Sequence, residues 1–359
     1  MRHALLCALP LLVSACASGP DVAAPDSARP SAQAADRSRE ARSERPAPSP
    51  PATLPDRRVE VRYEVALRAL PAGKQLRLWI PLPANDAHQR VEALAVDAPW
   101  PHRETREPRF GNRMLYFEAN SGEGGEARVS VRYTVSRWWH RSDLAALEGD
   151  GVEREDLSRY LQPSRLVVAD ARIRGIAERL VRGRASTLAK ARAFYEHVRG
   201  EMRYDKSGQG WGRGDSAYAC DAKAGNCTDF HAYFMALCLA ADIPTRFQIG
   251  LYGPYEAKPG QELRTGGYHC WALFRVPGKA WVPVDISEAQ KHPEFADTFF
   301  GAHSPNRIAL SEGRDLVLAP PQASDPLNYF VDPYCEVDGK PFAQLVRSSF
   351  WKDLPLARR

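Results

Sequence analysis

Three side chains in the C-terminal half of the sequence have the types that thiol chemistry needs. They are Cys227 in GNCTDFHAYFM, His269 in GGYHCW and Asp285 in WVPVDISEA. A thiol becomes a strong nucleophile when a base takes its proton, and an imidazole is a better base when a carboxylate fixes its tautomer. Asn226 is a good helix N-cap, and Asp229 three positions later completes a capping-box-like pair. Cys227 then falls in the first helical turn, where unpaired N–H groups and the helix dipole favour a thiolate. The nearby charge of Asp229 works against this, so the helix end needs help from an imidazolium. His231, at i+4 on the same helical face, is the local candidate. His269 is the distant one. Val276-Pro277-Gly278-Lys279 is a turn signal between two apolar runs, with His269 eight residues before Pro277 and Asp285 eight after. A hairpin turning there places His269 and Asp285 opposite or near-opposite on one sheet face. A Cys227 helix packed on that face brings thiol, imidazole and carboxylate into line.

The elements that must position these residues are legible as a helical segment followed by strands. DARIRGIAERLVRG puts Ile173, Ile176, Ala177 and Leu180 on one stripe, and STLAKARAFYEHVRGEM has Ser186 or Thr187 as cap. A glycine-rich loop spans 204–225, long enough to suggest function. It lacks a Gly-Lys-Ser/Thr step, which argues against a phosphate cradle, and its Arg213-Gly214-Asp215 triplet is short enough to be chance. CTDFHAYFMALCLAADIP is one helix, stopped by Pro244. TRFQIGLYG, GGYHCWALFRV and KAWVPVDIS are strands, and 287–320 reads as irregular. The segment 156–335 is therefore an α+β unit. Before it, 58–140 alternates in the manner of strands, with Val59, Val61, Tyr63, Val65 and Leu67 on one face. That segment is expected to be a small antiparallel, sandwich-like β domain without a cluster of acid, base and nucleophile. Residues 336–359 are expected to add a C-terminal strand or tail.

Taken together, GNCTDFH, GYHCW and WVPVDISEA resemble the three signature segments of the transglutaminase-like superfamily, in the chain order Cys, His, Asp. MRYDKSGQGWGRGDSAYACDA and NRIALSEGRDL are similar to its bacterial secreted or lipoprotein branch. The resemblance covers about 160–335. It implies a papain-like α+β fold, with Cys227 as nucleophile, His269 as general base and acid, and Asp285 as the carboxylate that orients His269. The implied chemistry is attack on a protein or peptide carboxamide to give a thioester, resolved by an amine or by water. A cysteine peptidase or amidase with the same triad is one alternative, and a non-catalytic envelope binding module that keeps the fold is another. An oxyanion hole is also required. The Cys227 N–H is one donor, and Trp211, Asn226 and His231 are the candidates for further oxyanion or cleft contacts.

Other constellations are weaker. Cys220, Cys227, His231 and Cys238 offer zinc donors, but lack the close Cys pair of structural zinc sites, so no metal is expected. No EF-hand loop suggests calcium, and no other cofactor is expected. Cys238 reads as core, while Cys220 and Cys270 fit core, cleft wall or disulfide partner alike. With Cys335, five cysteines remain once Cys7 is set aside with the leader and Cys16 as a lipidation site, an odd number that leaves at least one thiol unpaired in an oxidising compartment.

The N-terminus reads as a targeting segment. Arg2 precedes an apolar run over residues 4–13, too short to span a membrane. Val13-Ser14-Ala15-Cys16 resembles a bacterial lipobox, which implies a signal over 1–15, cleavage, lipidation of Cys16 and, with Ala17 following, an outer-membrane address facing the periplasm. A plain signal peptide with a coincidental cysteine is the alternative. Residues 16–57 are rich in Ala, Pro, Ser and Arg and cannot bury a core, so they read as a tether. The 359 residues carry a net charge of +5, with 44% hydrophobic and 26% charged residues. The one concentrated basic run lies in that tether, so nothing calls for nucleic acid. Expected partners are a protein or peptide substrate and the membrane.

Overall fold

The computed structural model describes residues 54–256 and 258–356. The signal segment, Cys16 and nearly all of the tether lie outside the described residues. The first strand already begins at the foot of the expected tether, where buried Arg57 pairs with Asp353.

Six strands open the fold: β1 (Arg57–Leu70), β2 (Gln75–Leu82), β3 (Gln89–Asp97), β4 (His102–Arg106), β5 (Arg113–Asn120) and β6 (Gly125–Arg137). β1 alternates as its sequence demands, with Val59, Val61, Tyr63, Val65 and Leu67 all buried. These residues face Leu76, Leu78, Ile80 and Phe117 in a common core between two antiparallel sheets. Neither sheet is closed by these six strands alone. β12 (Tyr334–Val337), β13 (Lys340–Pro341) and β14 (Leu345–Leu354) return from the C-terminus. β14 pairs with β1 from Arg58↔Leu354 to Leu67↔Leu345, and β12 pairs with β2. The two orders are β8-β14-β1-β6-β3 and β13-β12-β2-β5-β4, where β8 is Glu262–Arg264. The sandwich is thus built from both ends of the described residues, clamped around the segment between.

That segment holds α1 (Ala171–Val181), α2 (Thr187–Glu201), α3 (Ser216–Ala222) and α4 (Cys227–Ala240). Asp170 and Ser186 cap α1 and α2 by accepting N–H bonds from Ile173 and Ala189. Helix α3 lies inside the stretch read as a glycine-rich loop. Its cap is Asp215, the last residue of the Arg-Gly-Asp triplet, which accepts from Ala217 and Tyr218 N–H.

Helix α4 is mostly apolar, and each residue from Cys227 to Cys238 is buried, the polar Thr228, Asp229 and His231 included. Such a helix must be enclosed on all sides. It packs against α1, α2, α3 and one antiparallel sheet. The sheet is made of β7 (Thr245–Tyr252), β9 (His269–Arg275), β10 (Trp281–Val284) and β11 (Arg307–Glu312), in the order β10-β9-β7-β11. Removing Phe230 or Phe234 from this contact is worth about 3–5 kcal/mol by the general cost of a Phe-to-Ala cavity.

Strand β11 corrects the expectation that 287–320 is irregular. RIALSE is an edge strand paired with β7, and Gln89 holds it by two side-chain bonds to the Ala309 backbone. Helix α5 (Ile286–Lys291) precedes it. The architecture is α+β, with the helix that carries Cys227 packed on an antiparallel sheet.

Candidate active site

The local sequence around Cys227 fixes the start of α4 through a full capping box. Asn226 Oδ1 accepts from Thr228 N–H at 2.9 Å, and Asp229 Oδ2 accepts from Asn226 N–H at 2.9 Å. Asp229 does more than cap. It also accepts from Gly212 N–H at 2.6 Å and Gly214 N–H at 2.9 Å, so its carboxylate staples the glycine loop to the helix. Burial pushes this carboxyl up to about 6, against the pull of those N–H groups. The approach requires Gly225, because a Cβ there lies 2.4 Å from Asp229 Oδ2. Gly-Asn-Cys-Thr-Asp is therefore a packing motif as well as a helix start. Arg314 Nη2 and Tyr329 OH hold the same loop by the Gly214 and Gly212 carbonyls, at 2.9 and 3.2 Å.

The hairpin of β9 and β10 brings up the other two residues. Its register pairs Ala272 with Val284 and Arg275 with Trp281, so the turn pivots at Gly278, one residue beyond Pro277. Asp285 consequently stands diagonal to His269 instead of directly across, and the even offset keeps both on one face. Asp285 has left the strand and caps α5, accepting from Glu288 N–H and Ser287 Oγ, each at 3.2 Å. Its other oxygen accepts from His269 Nε2 at 2.7 Å and Arg307 Nη1 at 2.9 Å. All four interactions favour the ionised carboxylate.

With Nε2 on Asp285, Nδ1 is the nitrogen of His269 left for the thiol, and the Cys227 and His269 side chains lie close enough for each to favour the charged form of the other. Cys227, His269 and Asp285 are 2%, 5% and 0% exposed. Burial works to raise the Cys227 thiol, but hydrogen bonds from Cys270 and His269 and the charge of His269 hold it well below the ordinary thiol range. Burial works to lower His269, yet the Asp285 carboxylate and the Cys227 sulfur raise it to about 9. Burial also opposes ionisation of Asp285, and the charges of His269 and Arg307 overcome it. The arrangement sets a thiol whose ionisation is favoured beside an imidazole whose protonation is favoured, with the imidazole anchored on a carboxylate. It can attack a carbonyl carbon and hand a proton to the leaving group.

The structure separates the remaining candidates. His231 is fully buried beneath Cys227, not in a cleft. Its Nδ1 donates to the Cys227 carbonyl at 2.7 Å and its Nε2 accepts from Ile286 N–H at 3.2 Å. Both ring nitrogens are committed, so it is no oxyanion donor. Asn226 is also committed: Oδ1 to the cap, and Nδ2 to Tyr268 OH at 3.1 Å. Trp211 stands half-exposed on the stapled loop beside Gly212. The four zinc-donor candidates are not assembled for a metal: Cys238 is in the core, and Cys220 is hydrogen-bonded to Tyr233. All five described cysteines are free and buried.

Two contributors went unread in the sequence. Arg307, wholly buried, lies between the rings of Trp271 and Tyr252 while it holds Asp285. Its segment, NRIALSEGRDL, shares in the family resemblance but carries no signal that singles out the arginine. Tyr252 packs its ring 4.5 Å from that of His269 and bonds through its hydroxyl to Tyr255 and Glu288. No periodicity distinguishes it from an ordinary strand residue.

Residues 174–286 match the family model of the transglutaminase-like superfamily. This segment is a transglutaminase-like core. An uncharacterised protein of Haemophilus influenzae is 26% identical over 311 residues, covering 76% of this chain and 84% of its own length. Among solved structures, one from Cytophaga hutchinsonii, provisionally named a cysteine protease, superposes with a TM-score of 0.54 at 14% identity. The match covers 85% of this chain and 93% of that one, so the likeness of fold extends from the transglutaminase-like core into the sandwich. A looser likeness, at a TM-score of 0.36 and 18% identity, is to the periplasmic domain of TgpA from Pseudomonas aeruginosa bound to ethylmercury, over 72% of this chain and 95% of that one.

Proposed function

We propose that this chain is a thiol enzyme of the bacterial envelope that attacks protein or peptide carboxamides through a Cys227 thioester. One observation carries the reading: the Cys227 thiol neighbours a histidine whose Nε2 sits 2.7 Å from a wholly buried carboxylate. In the first half-reaction the thiolate adds to the carbonyl carbon. The oxyanion forms beside the start of α4, where the Cys227 N–H is among the four donors with no partner inside the helix. His269 gives its proton to the departing amine and becomes neutral. In the second half-reaction the neutral ring takes a proton from an amine or from water as that group attacks the thioester. Asp285 keeps the ring in the required tautomer throughout.

The test offers a glutamine peptide with and without a primary amine. Amine incorporation or deamidation that disappears in Cys227→Ala supports the proposal, and the ratio of the two products assigns the acyl acceptor. Cleavage of the peptide backbone that disappears in the same variant assigns a peptidase instead. Turnover that survives in Cys227→Ala removes Cys227 from the chemistry.

The envelope address rests on the Val13-Ser14-Ala15-Cys16 box and the tether after it. Lipid chains on Cys16 would hold the chain by burying many CH₂ groups at about 0.8 kcal/mol each. Cys16→Ala is expected to move the chain from the membrane fraction to the soluble one. Retention of that variant on the membrane would overturn the lipid anchor.

A further inference from the structure

Cys227 has a second sulfur beside it. Cys270 follows His269 on β9, and its thiol lies close enough to that of Cys227 for each to shift the other. Its Sγ also lies 3.6 Å from His231 Nδ1, the nitrogen that holds the Cys227 carbonyl. The two cysteines thus meet at one histidine, with the Cys270 thiol and the Cys227 carbonyl both on His231 Nδ1. The other described thiols lie in different surroundings. Cys238 is in the helical core, Cys335 contacts the Glu336 carbonyl in the sandwich, and Cys220 contacts Tyr233. Acyl transfer forms its thioester on Cys227 alone, and Cys270 makes and breaks no bond in it.

We infer that Cys227 and Cys270 form a reversibly oxidisable pair, in which a hydroperoxide oxidises Cys227 and Cys270 resolves the product to a disulfide. The inference rests on the proposal that Cys227 is a reactive thiolate. The first step is attack of the Cys227 sulfur on the terminal oxygen of the hydroperoxide. An S–O bond forms, the O–O bond breaks, and the departing alkoxide takes the proton of His269. Cys227 is then a sulfenic acid and His269 is neutral. In the second step the Cys270 sulfur attacks the Cys227 sulfur, giving its own proton to His269. The S–S bond forms, the S–O bond breaks, and the departing hydroxide collects that proton as water. Two thiols are oxidised by two electrons, and one hydroperoxide is reduced to an alcohol and water. A sulfenic acid with a thiol in contact condenses to a disulfide before it reaches the irreversible sulfinic and sulfonic stages. The pair would silence the nucleophile and protect it at once.

The experiment uses the full chain, fully reduced and then exposed to a small excess of hydrogen peroxide. One aliquot is digested without reductant and mapped by mass spectrometry. A second is treated with dithiothreitol and then labelled with iodoacetamide at neutral pH. A Cys227–Cys270 linked peptide is expected, with most of the Cys227 labelling lost on oxidation and regained on reduction. Cys270→Ala and Cys270→Ser, each compared with its own reduced baseline, are expected to lose the labelling as well but not to regain it, with Cys227 recovered as sulfinic or sulfonic acid. Equal irreversible loss in the wild type and both variants would overturn the pair, as would a linkage of Cys227 to a different cysteine. Failure of the underlying proposal looks different: reduced Cys227 then labels no faster than Cys238 or Cys335 before any peroxide is added.

Discussion

Two buried histidines flank Cys227, and they have been driven in opposite directions. His269 meets Asp285 at 2.7 Å through Nε2 and is raised to about 9. His231 has Nε2 only 3.9 Å from the same carboxylate, yet burial lowers it. The difference lies in what each ring does with its second nitrogen. His231 donates to one backbone carbonyl and accepts from one backbone N–H, a pattern that only the neutral ring satisfies. His269 spends one nitrogen on a carboxylate and the other on a sulfur, and both contacts reward the proton. Nearness to an acid does not make a base; the full set of partners does.

That contrast can be broken most sharply by exchanging the losses. His269→Ala is expected to lower kcat/KM for acyl transfer by about 10²–10⁴, the usual contribution of a positioned acid–base group. His231→Gln is expected to retain most of the activity and instead to weaken the fold by about 1–3 kcal/mol, the cost of mispairing buried donors and acceptors. Urea unfolding and steady-state kinetics on both variants check this. If the two phenotypes are interchanged, the roles assigned to the two rings are interchanged too. Between these in size lies Arg307→Met. It strips a wholly buried carboxylate of one partner, for which about 3–5 kcal/mol of stability is the general expectation. His269 remains on Asp285 in that variant, so the loss of kcat/KM should be smaller than for His269→Ala. A loss of activity equal to that of His269→Ala in a variant of wild-type stability would give Arg307 a direct catalytic part.

Much of this site was legible in the sequence, and the parts that were not share a cause. Cys227, His269 and Asp285 stand in segments whose turn and cap signals locate them: Asn226 before the helix, Val-Pro-Gly-Lys between the strands. Even there the pivot fell one residue late, at Gly278, because a turn signal marks a region and the register is set by packing on α4. Asp229 read as an opposing charge because sequence gives its distance from Cys227 along the chain. The direction of its carboxylate, toward the Gly212 and Gly214 N–H groups, is a tertiary fact. The sandwich was legible as strands but not as a closed unit, since β14 pairs with β1 across nearly the whole described chain. Arg307 and β11 were missed for a similar reason. Six residues with one buried arginine look irregular until Asp285 and Gln89 are placed beside them.

The smallest effect is a pH dependence, and it distinguishes a coupled pair from two independent groups. His269 is raised from its ordinary 6.5 to about 9. Its contribution to stability is complete below 6.5 and is lost as pH rises through about 9. Cys227 is held well below its ordinary 9.0, so its contribution is complete above 9.0 and is lost as pH falls through its folded value. Below 9, and above both 6.5 and the folded value of Cys227, the unfolded chain keeps the proton on sulfur, whereas the folded chain keeps it on nitrogen. The number bound is the same, so the pair adds no slope to stability across that window. Cys227→Ala removes one side of this balance. His269, still raised by Asp285, then binds a proton that the unfolded chain does not. Stability of the variant relative to wild type should fall with rising pH above 6.5, by up to about 1.4 kcal/mol per pH unit. Urea unfolding of both proteins at a series of pH values from neutrality upward measures it, and the difference cancels groups common to the two. Parallel curves would mean that His269 is neutral in the folded protein at neutral pH, and that the thiol and the imidazole share no charge.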